Sequence, residues 1–87
     1  MEKKTKVEII CFAPQPQPTQ LQLVSDLIAK HFPAKMTSVQ QWKDILKIEI
    51  FDFNENDYQS LNHAALELRQ LDTHILQAIE VEYKQII

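Results

Sequence analysis

The chain has 87 residues, 45% of them hydrophobic and 24% charged, with a formal net charge of −3. That length supports one small core and leaves no room for a second. The acidic balance argues against duplex DNA or an anionic membrane surface as partner, since both demand a basic stripe.

The single cysteine, Cys11, has no internal disulfide partner, which fits a reducing compartment and a cytoplasmic location. The opening residues MEKKTKVEIICFA do not read as a signal peptide, because their apolar run is short and Glu8 interrupts it. No stretch approaches the ~20 apolar residues of a membrane span. Glycine is absent altogether. That removes the glycine loops that cradle nucleotide phosphates, and it leaves tight turns to Asn, Asp, Pro or longer connections.

Residues 1–5 read as a basic arm and residues 6–87 as one α+β domain. Lys6 to Phe12 (KVEIICF) is short and rich in β-branched residues, so a strand is expected, with Val7, Ile9 and Cys11 on one face. Pro14, Pro16 and Pro18 end it. Their spacing of two does not match the three-residue turn of a polyproline docking ligand, so the segment reads as a stiff connector. Thr19 and Gln22 form a capping-box pattern for a first helix with the stripe Leu21, Val24, Ile28 and Phe32, which Pro33 closes.

Met36 to Asp44 (MTSVQQWKD) fits a strand turning at Lys43-Asp44, with a helix on Val39, Trp42 and Leu46 as the alternative. Ile45 to Phe53 (ILKIEIFDF) is a strand with Leu46, Ile48 and Ile50 on one face and Lys47, Glu49, Phe51 and Phe53 on the other. Asn54 or Asn56 caps a second helix, with the stripe Tyr58, Leu61, Ala65 and Leu68. Ile75 to Ile86 forms the last strand, with Ile75, Ile79, Val81 and Tyr83 on one side. No internal repeat is evident.

The order βαββαβ predicts a ferredoxin-like sandwich, a four-stranded sheet with both helices on one face and strands one and three adjacent and parallel. In that arrangement Ile10, Phe12, Met36, Phe51, Phe53, Leu76 and Ala78 gather at one end of the uncovered face. An exposed apolar patch of that kind marks a contact surface. The expected partner is a second copy of the chain or another protein.

No catalytic or metal-binding spacing is present. Cys11, His31, His63 and His74 form no His-x3-His, Cys-x2-Cys or His-Glu-x-x-His pattern, so no metal and no cofactor is expected. Cys11 and His74 are expected on opposite faces, which argues against an imidazole-activated thiolate. The sequence therefore reads as a non-catalytic interaction or regulatory module. One alternative is a binder of small apolar ligands, or a cofactor-free enzyme, with its site between subunits. Another is single-strand nucleic-acid binding on the aromatic strand pair, opposed by the glutamates expected on the same face and by the missing glycine-aromatic signature.

Overall fold

A computed structural model of the chain describes the backbone over residues 2–85 and the side chains over residues 4–84. Residues 1, 86 and 87, at the ends of the expected arm and last strand, lie outside the described residues. The fold is α+β, with four strands in one antiparallel sheet and two α-helices: β1 (Glu2–Phe12), α1 (Pro18–His31), β2 (Thr37–Trp42), β3 (Ile45–Ile50), α2 (Tyr58–Arg69) and β4 (His74–Gln85). Sheet order is β2-β3-β1-β4.

The parallel relation expected between the first and third strands is corrected, because β1 pairs antiparallel with β3. The reason lies in the chain path. The two-residue turn Lys43-Asp44 sends β3 back along β2, so β3 runs against β2 and enters the gap beside β1. The alternative helix at 38–45 does not form. The stretch read as a basic arm is strand from Glu2 onward and pairs with β4.

Local signals account for the helices in part. Pro18 at the first position starts α1, with Gln17 as an N-cap that makes no side-chain capping bond, so the expected Thr19–Gln22 box is not what begins it. Proline suits that position, since its missing N–H would have had no helical partner. Asn54 caps as expected, but it caps a 3₁₀ turn (Glu55–Asp57) in a reciprocal box with Asp57, and this turn leads into α2.

Val7, Ile9 and Cys11 of β1 and Leu46, Ile48 and Ile50 of β3 are all buried. They form one cluster with Val24, Leu27 and Ile28 of α1 and Ala64 and Leu68 of α2. The parity expected for these two strands is the observed one. β4 differs, because a bulge shifts its register between Ile10↔Gln77 and Cys11↔Ile75. One extra residue inverts the alternation. Ile75 thus packs against the core. Ile79 and Val81 stand opposite Glu8 and Lys6, on the face away from the cluster.

Turning without glycine places four other residues at positive φ among the described residues: Gln15, Lys43, Asp52 and Asp72. Aspartate tolerates that region, whereas lysine does so at a cost of roughly 1–2 kcal/mol. Lys43, at φ 54, holds the first central position of the β2–β3 turn, where hairpins favour glycine. Lys43→Gly should raise stability by about 1 kcal/mol, read as a higher urea midpoint at unchanged slope. A lowered midpoint would show that the turn is not strained.

Candidate interaction surface

Directly opposed residues of neighbouring strands share a face. The register therefore lays out the sheet side away from the core as crossing rows. Trp42, Ile45, Phe12 and His74 form the first row, from β2 to β4, and Gln40, Lys47, Ile10 and Gln77 the second. Ser38, Glu49, Glu8 and Ile79 form the third. Phe51 lies beyond, its N–H donating to the Met36 carbonyl at 2.9 Å, while Lys6 stands opposite Val81.

Charges occupy the middle of this outer face. The Lys6 ammonium lies 2.6 Å from Glu49 and 3.1 Å from Glu8, and Lys47 lies 3.7 Å from Glu8. Glu8 and Glu49 are directly opposed, so two carboxylates share a cation between them. Hydrogen bonds to Glu49, then to Glu8, hold the Lys6 pKa above its ordinary value. The stabilisation from that pairing is present below the ordinary lysine pKa of 10.5 and fades as pH rises through the raised one. This belt is its own solvation, which explains how Glu49 can be buried on a face without helix contacts.

Apolar side chains lie at both ends of the belt. At the first row Trp42 is 70% exposed and Phe12 40% exposed, with Leu76 exposed at the bulge nearby. At the other end Met36 is exposed, and Phe51 is half-buried with its ring edge-on to Tyr83 at 5.5 Å. Lys6 sits over the Phe51 ring, 5.3 Å from its centroid. The antiparallel pairing of β1 with β3 is the cause of this division. It sends Ile10 and Phe12 to one end and Phe51 to the other, so the seven residues expected to cluster do not.

Phe53 and Ala78 leave the set on other grounds. Phe53, expected to face outward, is only 5% exposed and lies edge-on to Tyr58 at 5.2 Å. Asp52, at φ 56, breaks the strand alternation just before it. Ala78 stands opposite the buried Ile9, on the core side of the sheet, yet is itself exposed at the edge. Glu80 and Glu82, expected on the outer face, stand opposite Val7 and Thr5 instead.

Two features escaped the sequence reading. Trp42 fell in the ambiguous segment, and only the strand assignment gives it the outer face. The other is a short repeat: Lys6-Val7-Glu8-Ile9-Ile10-Cys11-Phe12 corresponds to Lys47-Ile48-Glu49-Ile50-Phe51-Asp52-Phe53. Pairing the two copies antiparallel opposes Glu8 with Glu49 and produces the belt.

The proline connector borders the first row. Ala13 N–H donates to the Asp44 carbonyl at 2.8 Å, and Gln15 N–H to its Oδ1 at 3.1 Å. The connector is thus fastened to the β2–β3 turn beside Trp42.

Elsewhere the chemistry is structural. Burial pushes the Cys11 thiol up to about 11, so it stays protonated and unreactive near neutral pH. His31 lies 2.5 Å from Glu67, tying α1 to α2, and with Lys30 it holds the Glu67 carboxyl below its ordinary value. Among the described residues no group of three His, Cys, Asp or Glu side chains could hold a metal ion. No helix among them is long and apolar enough to cross a membrane.

No protein-family model and no curated protein matches the chain. Among solved structures it is similar to the de novo designed protein Foldit4, at a TM-score of 0.52 and 12% identity over 98% of this chain and 100% of that one. At that identity the likeness concerns the fold alone.

Proposed function

We propose that the chain is a non-catalytic protein-interaction module of ferredoxin-like arrangement, self-associating through the outer face of its sheet. The order β2-β3-β1-β4 and the single core shared by both helices support that arrangement, which leaves the opposite side of the sheet bare. One observation carries the functional reading: Trp42, exposed over 70% of its surface, stands in line with Ile45 and the half-exposed Phe12 on that bare side. Tryptophan is among the residues most enriched at the energetic hot spots of protein contacts.

Trp42→Glu tests it. The ring contributes little to the monomer core, so far-ultraviolet circular dichroism should stay unchanged while self-association weakens at least tenfold. Undiminished association in the folded variant would refute the reading. Single-strand nucleic-acid binding is disfavoured by Glu8 and Glu49 in the middle of the face, where a phosphate track would need cations.

A further inference from the structure

We infer that the partner is a second copy seated face to face about a two-fold axis that crosses the strands between the Lys47 row and the Glu49 row. This rests on the reading of the outer face as a contact surface and specifies its geometry. The face has an apolar end, a charged belt and a second apolar end. Rotation about an axis across the strands exchanges the ends and keeps each strand over its own counterpart. Trp42 then meets Met36 of the second copy, Ile45 meets Phe51, and Phe12 meets Lys6.

Within the belt the same rotation lays Lys47 of each copy over Glu49 of the other. The competing two-fold, with its axis along the strands, lays β3 over β1. It would set Glu49 on Glu8 twice, a like-charge contact that disfavours association. Packed sheets cross at about 30°, so the match is between bands rather than atoms. Size agrees: four strands at ~4.8 Å spacing and four rows at ~6.7 Å give roughly 500 Å2 per copy. Two copies bury about 1,000 Å2, the lower bound of a specific interface.

Paired cysteines separate the two geometries. Positions 36 and 42 lie about 20 Å apart along one chain, too far for a disulfide or a short thiol linker to join them internally. Cys11 is fully buried and does not compete. Sheets packed face to face lie ~10 Å apart, beyond the reach of a disulfide, so the probe is a thiol-specific linker of about 10 Å. It should join two copies of Met36→Cys/Trp42→Cys covalently, and it should join no two copies of Trp42→Cys/His74→Cys. Cross-linking of the second variant instead would overturn this two-fold while sparing the interaction reading. Absence of both cross-links with a dimeric wild type would also overturn it, and a monomeric wild type would end both claims. Because the cysteines remove the Trp42 anchor, Lys47→Glu provides a second measurement. It should weaken the wild-type dimer at least tenfold with the fold intact, and an unchanged dissociation constant would contradict the axis.

Discussion

Phe53→Ala should destabilise the domain by about 3–5 kcal/mol, whereas Phe12→Ala should cost only about 1 kcal/mol. The two phenylalanines occupy the same place in the KVEIICF and KIEIFDF segments, so sequence similarity alone would predict equal losses. The structure separates them. Phe12 continues its strand and remains 40% exposed, while the left-handed Asp52 turns Phe53 inward against Phe32 and Tyr58. Backbone pairing holds the turn, since Phe53 N–H donates to the Thr5 carbonyl at 2.8 Å. Losing several kcal/mol would leave a domain of this size largely unfolded, because its net stability is itself only a few kcal/mol. Urea titration of both variants reads the difference directly, and equal midpoints would place the two rings in equivalent surroundings after all.

Ile48→Glu should abolish folding, and Phe51→Glu should not. Ile48 is fully buried on β3 between the opposed Val39 and Ile9, and a carboxylate there has no cation within the cluster. Burying such a charge unpaired costs several kcal/mol, more than the fold can absorb. Phe51, three residues on, is half-buried on the other side beside Lys6 and Tyr83. A glutamate there gains Lys6 as a neighbour and should cost about 1–2 kcal/mol, leaving native circular dichroism. Loss of native structure in both variants would show that β3 does not present these residues to opposite sides.

The strands β1 and β3 were legible because their apolar residues alternate without interruption through Val7, Ile9 and Cys11 and through Leu46, Ile48 and Ile50. Only one face assignment buries both sets. In β4 the same logic misled. Ile75, Ile79, Val81 and Tyr83 share one parity in sequence, broken only by Gln77, but the bulge after Ile75 moves the last three to the other side. No glycine or proline marks that bulge, and the polar Gln77 on the apolar parity is its one trace in the sequence. Phe53 was lost for a similar reason, since an aspartate at positive φ looks like any other aspartate in the sequence.

The outward side of β1 and β3 was legible, but the placement of the apolar residues on it was not. Which side of β1 and β3 faces away from the core followed from parity, but where the apolar residues meet on it depends on strand direction. Reading β1 and β3 as parallel merged Phe12 with Phe51. Antiparallel pairing sets them apart and lets Trp42 and Ile45 take the place beside Phe12. Trp42 itself could have been found by carrying the alternation of β2 back from the Lys43-Asp44 turn. Two bonds to Asp44 fasten the proline connector at the edge of that row.

Self-association requires the bare side of the sheet to be covered by another copy in solution. Light scattering across a concentration series measures this directly: the mass should climb from the 10.2 kDa of one chain to twice that value before millimolar concentration. A mass that stays at one chain throughout would contradict self-association through Trp42, Ile45 and Phe12.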